Sequence, residues 1–328
     1  MKRATIPVGL AGLALAGWAV FASPAAWGAV AASWLFATGV VLGCVVLSAA
    51  TRVVGARWAD DLLPLVRRVV SFLPWSFAVL VALVAAGPRW LPWVHGVVSP
   101  ERRWWLNYPS FAARELIAGA VLFLLALRQA RAPRSAPATG AVVFLLVYVA
   151  VMTLWATDFV MALDREWVDP MLGGYLFMGG FLGGTAAASL AAVRRPGDTG
   201  LRYDVGKLLF GLAVFWAYLT FVQTLVIWYG DLPEETGFVL ARLVNPWRSL
   251  GLAAAALVFV APFFLLLREQ GKRHASVLSV CAAGILAGLW IEAQLLVLPS
   301  LSPSLTPEVL AGAIGSTAFL AERMWAAA

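Results

Sequence analysis

The sequence predicts an all-α polytopic membrane protein of about ten transmembrane helices, and three observations carry that prediction. Ten apolar stretches run along the 328 residues, each suited to a hydrocarbon core about 30 Å thick. Apolar residues make up 62% of the chain and charged ones 12%, where an average soluble domain is roughly 25% charged. A soluble protein of that composition would expose large adhesive patches. The connections between stretches also alternate in basic charge, as membrane insertion requires.

The spans fall at 5–22, 27–50, 69–87, 109–128, 138–162, 171–193, 205–229, 249–267, 275–298 and 308–326. The first follows Met1-Lys2-Arg3 and has the outline of a signal peptide, with small residues at 22–27 where cleavage would fall. The next span begins almost at once, which favours a retained helix. The tenth is the weakest, being short, rich in Gly and Ala, and interrupted by Glu308 and Glu322. Of the 24 Lys and Arg residues, 17 fall on one side of this alternation. The other side holds Arg89, Arg102, Arg103, Arg114, Arg165, Arg242 and Arg248. The positive-inside rule then places both termini in the cytoplasm. The sparsely basic connections, 88–107, 164–169 and 231–247, carry Trp, Asn, Pro and acids. Trp90, Trp93, Trp104, Trp105, Trp228 and Trp247 sit at span ends, where aromatic belts meet headgroups. The Pro/Ala/Arg run 131–138 reads as a plain linker, and no soluble domain of useful size is present.

Several function classes drop out. The sequence pI near 9.9 invites a nucleic-acid reading, but the bases follow topology and form no patch with interleaved aromatics. Cys44 and Cys281 belong to no CxxC pair and read as small packed residues. His95 and His274 fall on opposite faces of the membrane, so they cannot ligate one b-type haem. The chain is expected to hold no covalent or metal-ligated redox centre. Span 6 carries Gly173, Gly174, Gly179, Gly180, Gly183 and Gly184. A phosphate cradle would need a strand, a turn and a lysine after the last glycine, so close helix packing is the reading.

Ionisable groups inside the spans carry the functional signal. Glu115 in span 4, Asp158 in span 5 and Glu292 in span 9 lie nearer the outer face, at similar depth to Gln223 and Thr224 in span 7 and Gln294 in span 9. A carboxylate at mid-helix costs about 2.5–3.5 kcal/mol on insertion scales, so these groups should face the bundle interior. They suit a quinone-headgroup site, a proton relay or an ion path. They equally suit interhelical hydrogen bonds of about 0.6 kcal/mol each, with Arg114 pairing to Glu115. A second polar set, Asp60, Asp61, Asp204 and Lys207, lies at the inner face with Arg67 and Arg68. It offers a proton-uptake mouth or, as the blander reading, solvated interfacial charge.

Some runs are familiar. Residues 158–167, DFVMALDREW, are similar to a D-[WF]-x-M-[SA]-L-x-x-x-W signature that precedes a glycine-rich sixth helix. Residues 206–236, GKLLFGLAVFWAYLTFVQTLVIWYGDLPEET, resemble the stretch G-K-L-L-F-x-F-…-F-x-Q-Y-x-x-I-W-Y-x-N-L-P-E-E-T, and GARW at 55–58 and LNYPSF at 106–111 match two further landmarks. These runs resemble the ActF-type membrane subunit of alternative complex III, within the wider NrfD/PsrC-like group, and the likeness spans about 30–300.

That resemblance implies two four-helix bundles in parallel repeat. Residues 1–26 would form a peripheral first helix, 27–163 the first bundle, 164–300 the second and 301–328 a peripheral tenth helix. It implies a bacterial inner-membrane subunit of a complex that oxidises quinol. The implied partners are a second NrfD-like ten-helix subunit, an iron–sulfur subunit, a multihaem cytochrome subunit, small membrane subunits, lipid and a terminal oxidase. Quinone is the implied ligand, and Glu292, Asp158 and Glu115 would form the proton path. The chain departs from the pattern in span 9, where a His–Trp–(Ile/Leu)–Asp motif is replaced by Leu289-Trp290-Ile291-Glu292, and in span 7, where Thr224 stands for Tyr. A site relying on that His is in doubt, whereas an acid-based path survives. The rival readings are a cofactor-free structural subunit and a secondary transporter. The latter often uses inverted repeats and helices broken at mid-membrane.

Overall fold

A computed structural model describes residues 2–96, 100–133, 135–164, 167–195, 197–230 and 235–327, with side chains from 7 to 324 within those limits. Arg134, Arg165 and the segment 231–234 therefore lie outside the described residues, as do the side chains of Lys2 and Arg3. The chain is 85% helical and has no strand among the described residues.

Among the described residues, eight helices are long and apolar enough to cross a membrane. They are α2 (Ala25–Val53), α3 (Trp58–Ala85), α4 (Tyr108–Arg131), α5 (Thr139–Leu163), α6 (Leu172–Val193), α7 (Thr199–Tyr229), α8 (Trp247–Leu266) and α9 (Ala275–Ser300). They are flanked by α1 (Lys2–Ala22), whose apolar part Pro7–Ala22 is shorter, and α10 (Pro307–Ala327). Helix α1 packs along α10, and α10 along α2.

Local chemistry sets the boundaries. Asn107 caps α4 by accepting from the Ser110 N–H at 3.4 Å, and Asp198 caps α7 by accepting from that of Leu201 at 2.9 Å. Helix α2 ends at Gly55, whose φ of +72° is open to glycine at little steric cost. Two elements start earlier than hydropathy predicts: α7 at Thr199 rather than 205, and α3 at Trp58 rather than 69. Helix α3 begins with a 3-10 turn and tightens again at Val70–Phe72, just before Pro74. Pro74 can donate no backbone hydrogen bond into that turn. Helix α8 likewise passes through a π turn at Ala256–Val260 before Pro262. The ring would clash with the carbonyl four residues back, and the wider turn relieves this without breaking the helix.

Helix α2 is nearly all buried and touches α3, α4, α5, α6, α9 and α10. Its closest partner is α6. A Cβ on Gly43 would run into the Gly180 carbonyl, and one on Gly184 into the backbone of Gly43. The glycine-rich face of span 6 is thus a helix-packing surface, as expected, and Gly43 and Gly184 are the positions that make the crossing possible. Polar ties reinforce α2: the Trp34 Nε1–H donates to the Ser76 carbonyl and hydroxyl at 2.9 Å, and the Thr38 and Ser76 hydroxyls meet at 2.7 Å.

The connections gather into two ends. At one, Arg52 Nη2 donates to Ala132 O, Arg195 pairs with Asp61 at 2.9 Å, and Arg202 Nε donates to Arg273 O. This is the basic end. At the other, Trp167 stacks on Phe238 with centroids 3.4 Å apart, and Arg102 Nη1 donates to Asp164 O. This is the aromatic end. Only some of its tryptophans form a belt. Trp104 and Trp228 are exposed, but Trp90, Trp93 and Trp247 are buried. Trp90 and Trp247 spend their N–H groups on the carbonyls of Leu83 and Pro303. Proximity to the span ends drew all six into one expectation, whereas packing divides them.

Candidate functional site

Glu115, Asp158 and Glu292 are 0%, 1% and 9% exposed, so all three point into protein. At about 1.5 Å per residue they and Gln223 lie about 8–12 Å from the aromatic ends of their helices. They do not form one site.

The first group is closed. Asp158 Oδ2 accepts from Arg114 Nε at 2.6 Å, and Oδ1 from the Trp105 Nε1–H at 2.7 Å. Arg114 also donates to the Trp105 carbonyl at 2.8 Å and lies 4.4 Å from the Trp105 ring centroid. The expected Arg114–Glu115 pair is not formed. Adjacent residues of a helix point about 100° apart and cannot face one another, so Arg114 reaches across to α5. Glu115 sits beside this pair and Trp155, within the electrostatic reach of Asp158 and Arg114. Its two oxygens accept no hydrogen bond of good geometry. Phe111, Phe159, Trp93 and Trp34 pack on one another with ring separations of 5.5–5.8 Å, and Arg114 lies 5.6 Å from the Phe111 ring centroid.

The second group is open. The Glu292 carboxylate accepts from the Trp216 Nε1–H at 2.9 and 3.1 Å. It forms part of the wall of a cavity of about 330 Å³ bounded by α7, α8, α9 and the short helix Thr236–Leu243. Helix α7 contributes Trp216, Thr220, Gln223, Thr224 and Ile227, spaced so that all share one helical face. Gln223 and Thr224 both line the cavity, Thr224 being also exposed to the exterior, and Gln223 Nε2 is buried without a hydrogen-bond partner. The Thr220 hydroxyl donates to Tyr175 at 3.3 Å. On the other side, Glu292 faces a second void of about 40 Å³ lined by Leu35, Gly39, Met152 and Tyr175, between α2, α5, α6 and α9.

The short helix roofs the cavity toward the aromatic end. It is pinned by Arg242, which donates to the carbonyls of Leu295 and Leu296 at 2.8 and 3.0 Å and lies 3.2 Å from the Phe238 ring centroid. These bonds satisfy carbonyls at the C-terminal end of α9, where a cation also meets the negative end of the helix dipole. Burial pushes the Arg242 guanidinium below its ordinary range, and the charge of Asp164 partly offsets this.

Gln294 points elsewhere. Its Nε2 donates to the Ser33 hydroxyl at 3.1 Å, and Thr317 of α10 meets the same hydroxyl at 3.2 Å. It ties α9 to α2 and α10 and does not line the cavity. At the basic end, Asp61 pairs with Arg195 and Asp204 with Lys207, the latter at 2.8 Å, and all four side chains are a third or more exposed. Asp60 sits beside Asp61 in the same turn. The Asp61–Arg195 and Asp204–Lys207 pairs are solvated. His95 lies at the aromatic end and His274 starts α9 at the basic end. No cluster of three or more His, Cys, Asp or Glu side chains occurs among the described residues.

Sequence reasoning passed over Trp216, Arg242, Thr220 and Tyr175. The signal for the first was available: Trp216, Thr220, Gln223 and Ile227 repeat at helical spacing on one side of span 7. Arg242 and Phe238 lie four apart in a connection that gave no helical expectation.

No protein-family model matches the chain, and no curated protein matches it.

Proposed function

We propose that this chain is a ten-span membrane subunit of a quinol-oxidising respiratory complex of the alternative complex III type. The basic end would face the cytoplasm of a bacterial inner membrane, with both termini there. The observation that carries the reading is Glu292, a carboxylate that meets one tryptophan and otherwise faces cavities. The motif likeness at 158–167 and 206–236 supplies the reaction class. The cavity between α7, α8 and α9 is the place for a quinol headgroup, with Gln223 and Glu292 as its hydrogen-bonding partners. Oxidation releases two protons and two electrons. Glu292 would accept a proton, and the electrons would leave to iron–sulfur and multihaem subunits on the outer face, since this chain is proposed to hold no redox centre. The implied complex includes a second NrfD-like ten-helix subunit, small membrane subunits, lipid and a terminal oxidase.

The same argument divides the acid set. Asp158 is neutralised by Arg114 within the protein, which favours the structural reading for Asp158 and Arg114. Transport has weaker support. The π turn keeps α8 continuous past Pro262, where a transporter site would favour a broken helix.

The test is purification of the tagged chain from its native membrane. A multihaem cytochrome, an iron–sulfur protein and a second polytopic protein should co-purify and oxidise quinol. The Glu292→Gln complex should assemble with the same subunits and turn over at least tenfold more slowly. Recovery of the chain without any haem or iron–sulfur partner would refute the assignment to a respiratory complex.

A further inference from the structure

We infer that the cavity is reached sideways from the bilayer, through a cleft between α7 and α8, and that its ligand is an uncharged quinone-type ring on a long apolar tail. This rests on the quinol-oxidising reading above and adds the route and the ligand's form to it.

Three features define the route. Helix α7 packs against the π turn and the last turns of α8, but the two helices part over Trp247–Ala255. The cleft therefore widens toward the aromatic end, with the π turn at its fork. Toward that end the cavity is covered by Thr236–Leu243, anchored by Arg242 and by the stacking of Phe238 on Trp167. At the side it is bounded by Leu252 and Leu243, which are 64% and 56% exposed and yet line the cavity. Residues that face both a cavity and the exterior mark a mouth: Leu243 and Leu252 form its apolar side, and Arg248 and Thr224, exposed and lining the same cavity, flank it. A lipid-borne ligand crosses the leucine side without leaving an apolar medium.

The size and lining then select the ligand. A cavity of about 330 Å³ is at the small end of ligand sites, which run roughly 300–1,000 Å³. It holds a ring and not a long tail, so the tail must leave through the mouth over Leu252. The floor offers the carboxylate oxygens of Glu292 as acceptors, and the Gln223 side chain lines the same cavity, its Nε2 buried without a hydrogen-bond partner. That combination suits a group that is alternately a hydroxyl and a carbonyl.

The test uses the purified assembly in lipid nanodiscs, a photoreactive benzoquinone with a decyl tail, and a phospholipid with a photoreactive group near its glycerol. Cross-linked peptides are mapped by mass spectrometry. The quinone should label peptides of α7, α8 and α9 in the native protein. Leu252→Trp should reduce that labelling at least tenfold. Leu252→Ala should retain it, and so should Leu240→Trp, on the outer side of the roof. Unchanged labelling in Leu252→Trp would overturn the lateral route. Equal labelling of the cavity by the phospholipid would overturn the ligand assignment, and no cavity labelling in the native protein would overturn both. Quinol oxidation measured on the same samples separates these failures from failure of the respiratory reading, because turnover without cavity labelling leaves that reading standing.

Discussion

Asp158 and Glu292 are carboxylates of the same kind, on α5 and α9, at similar distances from the aromatic end, and the protein meets them in opposite ways. Asp158 is held by a guanidinium at 2.6 Å and an indole N–H at 2.7 Å. Glu292 is held by an indole N–H alone and faces space on two sides. A charge in a low-dielectric interior requires compensation. The first site supplies it within the fold, whereas the second offers one indole N–H and open space. Burial of an acid in a membrane helix therefore does not by itself mark a reactive group. The partner, and the room beside it, decide.

The largest expected effect separates the two sites by stability. Asp158→Ala leaves the Arg114 guanidinium without its counter-ion, and removing one partner of a buried pair costs about 3–5 kcal/mol. Unfolding in detergent should show a loss of that order, and the charge-free pair Arg114→Met with Asp158→Leu should recover most of it. Glu292→Gln keeps an acceptor for Trp216, so its stability should stay within about 1 kcal/mol of the native protein. Its quinol turnover should fall at least tenfold, a barrier change of about 1.4 kcal/mol. If Asp158→Ala were as mild as Glu292→Gln, or if Glu292→Gln turned over normally, the contrast between a closed and an open site would be lost.

A smaller effect sharpens the comparison within one helix. Gln294 is two residues from Glu292 but binds Ser33 on α2 instead of lining the cavity. Gln294→Leu should remove an interhelical hydrogen bond worth about 0.6 kcal/mol and leave turnover unchanged. A loss of turnover equal to that of Glu292→Gln would mean that the α2 face of α9 also takes part in the reaction.

Spans 2 to 9 were legible in the sequence because hydropathy over twenty residues is a strong signal, and the glycine face of span 6 was legible because its spacing allows little but packing. The depth of Glu115, Asp158 and Glu292 could also be read. Their partners could not. Arg114 lies next to Glu115 in sequence, and only the helical rotation of about 100° per residue sends it to Asp158 instead. Trp105 approaches Asp158 from a connection whose path no periodicity records. The cavity depends on α7 and α8 parting above a π turn and on an eight-residue helix inside a presumed loop. Neither leaves a compositional trace. The stripe Trp216, Thr220, Gln223, Ile227 did leave one, and reading it would have moved attention from spans 4 and 5 to span 7.

The smallest effect concerns the α5–α6 seam. Asp169 follows α5 and precedes α6, outside both spans, and is only 9% exposed. Its Oδ1 accepts from the Met171 N–H at 2.8 Å, while Oδ2 is buried without a hydrogen-bond partner. Burial raises its pKa above the ordinary carboxylate value, the Met171 and Leu172 amides work against that rise, and the charge of Glu235 adds to it. Raised folded-state affinity for the proton means that stability from this group is complete below the unfolded value of about 3.9 and is lost as pH climbs through the folded value. The chain should therefore lose a little stability as pH rises from acid toward neutrality. Asp169→Asn cannot ionise, keeps an acceptor for Met171 and should flatten that slope. Thermal unfolding across pH 4–7 in one detergent would measure both slopes. Parallel slopes in the native protein and Asp169→Asn would show that the seam carboxylate is solvated in both protonation states, and would leave Glu292 as the acid whose environment the fold leaves open.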